Sequence, residues 1–287
     1  MLDTAFDILL DALRDCAPML WMLFPIYTLV EYLEHSGRLA RAAKPWFGGR
    51  LGAFAGAALG LIPQCGMSVL MTSFFVRRRI TTGTLVATFI STSDEALPVL
   101  LASGVSYLRF AGALLAIKFA AGCFWGLAID AVSRRRITAN GGPAIVLFPS
   151  AHAEPARWPA LLRHAARHTL RTTAWVYVVT AAIGLALALG PHALAAGAWT
   201  PRPALQIVPA ALVGMIPNCA VSVAIVEPHL HGQLALPATI AGLSAGAGFG
   251  PIVLVKDGNR RDALRVLSLT LGAAIATGLM LQVIGRW

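Results

Sequence analysis

Long apolar runs separated by short basic clusters dominate the chain. Apolar segments fall at roughly 16–34, 51–62, 66–76, 81–103, 108–132, 172–190, 204–216, 219–226, 233–254 and 263–285. A helix needs about 20 apolar residues to cross a bilayer. The segments at 16–34, 81–103, 108–132, 172–190, 233–254 and 263–285 come close to or exceed that length. The other four form two pairs. One pair flanks Pro63-Gln64-Cys65-Gly66 and the other flanks Pro217-Asn218-Cys219. Each pair is either one broken span or a re-entrant hairpin. A twelve-residue arm reaches about 18 Å, a little over half of the ~30 Å hydrocarbon core, so length permits both.

Charge separates the two readings, because Lys and Arg favour cytoplasmic loops. If both pairs are hairpins, one side of the membrane carries Arg38, Arg41, Lys44 and Arg50, Arg77 to Arg79, the seven arginines from Arg134 to Arg171, and Lys256, Arg260, Arg261 and Arg265. These make up 18 of the 23 basic residues. If both pairs cross fully, the bias vanishes. The hairpin reading is the one expected.

The two halves repeat. Gly60-Leu61-Ile62-Pro63-Gln64-Cys65-Gly66-Met67-Ser68-Val69 matches Gly214-Met215-Ile216-Pro217-Asn218-Cys219-Ala220-Val221-Ser222-Val223 at a constant offset of 154, and Ser91 to Pro98 matches Ser244 to Pro251 at 153. Each unit reads helix, re-entrant hairpin, broken helix, helix. Three spans separate the starts of the two units, and an odd number inverts the second. The expected fold is an all-α polytopic membrane protein of two inverted repeats, with residues 1–132 as the first repeat, 133–166 as a basic cytoplasmic linker and 167–287 as the second. Inverted repeats with interrupted helices place a transport site near the midplane.

Composition agrees. The chain of 287 residues is 57% hydrophobic and 13% charged, with a mean hydropathy of +0.71, whereas a soluble domain carries about 25% charged residues. The net charge of +10 sits in loops between apolar runs, which argues for membrane lipid as the neighbour and against nucleic acid. Cys16, Cys65, Cys123 and Cys219 form no CxxC pair and no disulfide framework. The acidic N-terminus lacks the basic region of a secretory signal. No HExxH, GxSxG or Walker motif occurs. The expectation is therefore not an enzyme, with no cofactor, and a proton or sodium gradient as the energy source.

Four interruptions should converge: Pro63 to Ser68, Pro217 to Ser222, Ser91 to Pro98, and Ser244 to Pro251. Irregular backbone at membrane depth survives only inside protein or beside a wet cavity. Gln64, Asn218, Ser68 and Ser222 offer neutral oxygen, and Cys65 and Cys219 offer soft sulfur. A cysteine in a span also serves as small apolar filler. Ser91-Thr92-Ser93-Asp94-Glu95-Ala96-Leu97-Pro98 is the most pointed stretch, because adjacent carboxylates in an apolar span need a cation, a proton or water. Thr92 and Glu95 also read as a capping box, and both roles are compatible. The second half has Ala247 and Gly248 at the matching places, so the site is expected to be lopsided, with Ser244 its hydroxyl counterpart to Ser91. Lys118 lies deep enough to need a partner, and Asp94, Glu95 or Asp130 could pair with it. Glu31 and Glu34 read as interfacial. Glu227, His229 and His231 form either a metal-collecting turn or, more simply, a solvated one. Gly52, Gly56 and Gly60 read as a helix-packing face.

The IPQCG and STSDEALP runs, with IPNC in the second half, resemble the bacterial family of ten-helix heavy-metal exporters, also described as manganese transporters or arsenic-efflux-like permeases. The resemblance covers about 16–285, departing at Ala220 where the first half has Gly66. It implies efflux of a metal or metalloid across the bacterial inner membrane by a multi-pass carrier. Asp94, Glu95, Gln64 and Asn218 would be the metal-binding residues, with Cys65, Ser68, Ser91, Ser93, Cys219, Ser222 and Ser244 around them. An oxyanion or small organic anion, held at the half-helix N-termini at Gly66 and Ala220 with Asp94 and Glu95 binding the coupling cation, is the alternative cargo. The order of hairpin and broken helix is similar to that of dicarboxylate carriers, which work as dimers by an elevator motion; by that analogy a homodimer is the assembly to expect.

Overall fold

The computed structural model describes residues 51–62, 65–76, 78–92, 108–133, 158–189 and 202–285, together with scattered positions between 9 and 28. Every regular element among the described residues is a helix. They are α1 (Leu51–Gly60), α2 (Cys65–Val76), α3 (Thr82–Ser91), α4 (Leu108–Val132), α5 (Trp158–Leu189), α6 (Pro203–Gly214), α7 (Cys219–Leu230), α8 (Leu236–Ala245), α9 (Gly250–Asp257) and α10 (Arg260–Gly285).

The repeat visible in sequence reappears in the elements. α1 and α6 both end at the glycine preceding the proline-amide-cysteine tip. α2 and α7 are each 12 residues long and start at the matching cysteines. α3 and α8 are each 10 residues long and break at matching places. The packing repeats as well: α3 lies against α1 and α4 in the first half, and α8 lies against α6 and α10 in the second. Across the halves, α2 packs on α9, and α3 touches both α8 and α10.

Small residues make these close approaches possible. A Cβ on Gly56 would lie 2.5 Å from the Thr84 carbonyl oxygen, and one on Gly60 would lie 2.5 Å from that of Thr88. The expected GxxxGxxxG face therefore packs directly onto α3. Gly126 of α4 meets Ala87 of α3 in the same way. Lipid tails give no hydrophobic drive between helices, so such backbone-close contacts and buried hydrogen bonds hold the bundle together.

All ten residues of α3 are buried, as is α8 from Pro237 onward. Among the described residues three stretches are long and apolar enough to cross a membrane: Arg109–Val132, Leu236–Asp257 and Arg260–Gly285. The broken span Leu236–Asp257 has 83% of its most apolar window inside the protein, against 33% and 28% for the other two. A helix enclosed all round belongs to the interior. The broken helices thus form the centre, and α4 and α10 face outward.

Two side-chain clamps fix where the broken helices begin. Thr81 caps α3 by accepting from the Thr84 amide at 3.0 Å, the expected use of a threonine N-cap. Asp130 of α4 then accepts from the Thr81 hydroxyl at 2.5 Å and from the Gly83 amide at 2.8 Å. In the second half Gln206 of α6 does the equivalent work. It donates to the Gln233 carbonyl at 3.0 Å and accepts from the Ala235 amide at 2.9 Å, just before α8. Asp130→Ala should cost about 1–3 kcal/mol, because it orphans two donors at once. Thermal unfolding of the detergent-solubilised protein measures this, and an unchanged Tm would show the clamp to be idle.

One element departs from the sequence expectation. The span expected at 172–190 belongs to a longer helix that starts at Trp158. The boundary drawn between linker and second repeat, at 166, therefore falls inside a continuous helix. Apolar length alone set that boundary, and a helix continues past its apolar part when its basic end, here Arg163 and Arg167, is exposed. Glu31, Glu34 and most of the linker lie outside the described residues.

Candidate functional site

The Pro217-Asn218 turn and the second break line a small cavity of about 10 Å³, room for roughly one water-sized particle. Asn218 and Ser222 line it from the turn and α7, Gly246 and Gly248 from the break, and Gly214 and Gly242 from the crossing of α6 and α8. The local sequence explains the shape. Pro217 has no amide to continue α6, and the Asn218 amide closes a tight turn on the Ile216 carbonyl at 2.8 Å. Asn218 then stands just ahead of α7, a position that favours its side chain. At the break, Gly248 has φ +55°, a backbone conformation that disfavours any residue with a Cβ.

α2 reaches the same break. Ser68 is fully buried on α2, and its Oγ accepts from the Gly250 amide at 3.2 Å. Gly250 opens α9 and is wedged against Phe89 and Thr72, which leave no room for a Cβ. Of the four interruptions expected to converge, the Pro63 to Ser68 stretch thus touches the second break through Ser68, and the Pro217 to Ser222 stretch shares a cavity with that break.

Ser91 is buried at the end of α3, and its Oγ donates to the Lys118 carbonyl at 3.2 Å. Its counterpart Ser244 is equally buried, and its Oγ has no hydrogen-bond partner among the described residues. Cys65 and Cys219 are the first residues of α2 and α7. Gln64, Ser93, Asp94 and Glu95 lie outside the described residues. Among the described residues no group of three or more His, Cys, Asp or Glu could hold a metal.

Lys118 departs from one expected pairing. Asp130 stands twelve residues along the same helix, about 18 Å away, and is engaged at the start of α3. The Lys118 ammonium instead donates to the carbonyl of Thr92 and, at 2.7 Å, to that of Leu243. These carbonyls lie at the C-terminal ends of α3 and α8, one from each half. Backbone acceptors carry no letter of their own, so sequence could flag the lysine but not these partners. The His229 and His231 turn resolves toward the bland reading. His229 stacks on Phe110 at 4.7 Å and bonds the Leu234 carbonyl through Nδ1, while His231 bonds the Glu227 carbonyl. Both Nδ1 atoms are used locally.

The arrangement gathers neutral oxygen donors and open backbone inside an apolar multi-pass bundle. That can hold and release a small polar or charged solute. No curated protein and no solved structure matches the chain. A family description does match it over residues 3–197, about two thirds of its length, which includes the Pro63 to Ser68 and Asp94-Glu95 stretches. On that match the chain belongs to the family described as "Putative, 10TM heavy-metal exporter".

Proposed function

We propose that this membrane protein is a secondary active transporter that exports a divalent heavy-metal ion, manganese foremost, across the bacterial inner membrane. Asp94 and Glu95 supply the charge, and Gln64, Asn218, Ser68 and Ser222 supply neutral oxygen. Oxygen-rich donor sets suit manganese better than softer metals. The carboxylates exchange metal for protons, or sodium provides the gradient. In this reading the two halves are inverted repeats, the hairpins are re-entrant, and alternating access proceeds by an elevator-like movement.

The observation that carries the proposal is the cavity where Asn218 and Ser222 meet the Gly246–Gly248 break. The family supports the cargo class. The start of α9 is itself a poor anion site. The Gly250 amide is taken by Ser68, residue 251 is a proline without an amide hydrogen, and the Ile252 amide bonds Phe249. That helix end has spent its first donors.

Everted membrane vesicles with an imposed pH gradient test the proposal. Saturable manganese accumulation, competed by other divalent metals and untouched by oxyanions, is expected. Transport saturated by oxyanions and indifferent to metals would replace this reading with the anion carrier.

A further inference from the structure

Lys118 is 1% exposed in the middle of an apolar helix. A buried ammonium is costly unless its charge is compensated. Two helix ends contribute to that compensation. Thr92 is the C-cap of α3, and Leu243 lies in the last turn of α8. Carbonyls in the last turn of a helix have no intrahelical amide to bond them, and the aligned peptide dipoles make such ends attractive to cations. Carbonyls of unwound helices at a midplane break are also the donor set with which broken-helix carriers coordinate a monovalent coupling ion. Lys118 reaches this point from α4, and the fit around it is close. A Cβ on Gly122, one turn further along, would collide with the Ser91 Oγ at 2.3 Å.

We infer that the junction of the two breaks is a monovalent-cation site, built from the Thr92 and Leu243 carbonyls and filled in cis by the Lys118 ammonium. The protein carries its own cation where a carrier of this build would otherwise bind sodium. The inference rests on the transporter reading for its significance, but the site itself is a matter of stability. Because α3 and α8 come from different halves, the tethered cation also joins them at their breaks. No sodium is then required at this junction for the two helix ends to stay together.

The test is removal of the tethered charge followed by supply of a free one. Lys118→Ala leaves both carbonyls facing an emptied stem channel. It should lower the Tm of the detergent-solubilised protein by about 10 °C in choline buffer. Propylammonium, which replaces the missing stem and charge, should restore at least half of that loss. Sodium should restore a smaller part, and tetramethylammonium none. Wild-type Tm should not respond to any of the three. Lys118→Met keeps the stem volume and removes the charge; it should be destabilised too and should respond to neither propylammonium nor sodium, because its side chain still fills the channel. A Lys118→Met protein as stable as wild type, or a Lys118→Ala protein that no small cation stabilises beyond wild type, would overturn the inference. If Lys118→Ala cannot be purified in choline, the comparison moves to purification with propylammonium throughout. Recovery only in its presence supports the site, and failure in both buffers overturns it. Transport is not measured in any arm, so a failed cargo assignment leaves the result readable.

Discussion

The double variant Asp94→Asn with Glu95→Gln should lose saturable metal accumulation in everted vesicles by on the order of 100-fold or more. Substituting the outer partners of a metal site already costs about 10–100-fold in affinity or activity, and these residues are proposed as direct ligands. The change is chosen to isolate charge. Asn and Gln keep the shape and one oxygen acceptor of Asp and Glu, and a glutamine at position 95 can still complete a capping box with Thr92. Backbone demands at the break are therefore nearly unchanged, and the folded protein should be recovered in normal amounts. What disappears is the negative charge that offsets the dehydration of a divalent ion in a medium of low dielectric. Neutral amide and hydroxyl oxygens at Asn218, Ser222 and Ser68 cannot replace it. Undiminished metal flux through well-folded double variant would remove the carboxylates from the site and sink the proposed assignment.

How much of this was legible in the chain depends on where the information sits. The repeat was fully readable, because proline, amide, cysteine and serine recur as letters at a fixed offset. Helices starting at Cys65 and Cys219 and breaking after Ser91 and Ala245 follow from it. The packing face of Gly56 and Gly60 was readable for the same reason, since absent side chains dictate close approach. Partners that use the backbone were not readable. Lys118 stood out as an anomaly in an apolar span, but two of its acceptors are carbonyls, which no sequence pattern names. Asp130 was assigned no role of its own, because a clamp on a helix start 47 residues away in sequence leaves no local pattern. Gln206 was missed outright. A buried glutamine in an apolar helix, with no match in the first half, was the available signal. The extension of α5 back to Trp158 was missed because apolar length says where a helix lies in lipid, and a helix can continue beyond it.

Gly214→Ala should destabilise the protein sharply, while the same substitution at Gly272 should not. Both are helical glycines in the second half. A Cβ on Gly214 would stand 2.0 Å from the Gly242 carbonyl oxygen and 2.8 Å from its carbon, whereas nothing lies within 4 Å of one on Gly272. The obstruction at Gly214 is backbone in the middle of α8, so no rotamer change relieves it. α6 and α8 must separate by more than 1 Å, and overpacking of that kind costs about 1–3 kcal/mol or more. That corresponds to a Tm loss of about 5 °C for a chain of this size. At Gly272 the intrinsic preference for alanine in a helix, worth up to about 1 kcal/mol, acts unopposed and should leave Tm equal or slightly higher. The same crossing forms one wall of the cavity, through Gly214 and Gly242. Metal flux should therefore fall in Gly214→Ala even below its unfolding temperature and stay normal in Gly272→Ala. Equal Tm values for the two variants would mean that α6 and α8 do not meet backbone to backbone, and the cavity that rests on their crossing would go with them.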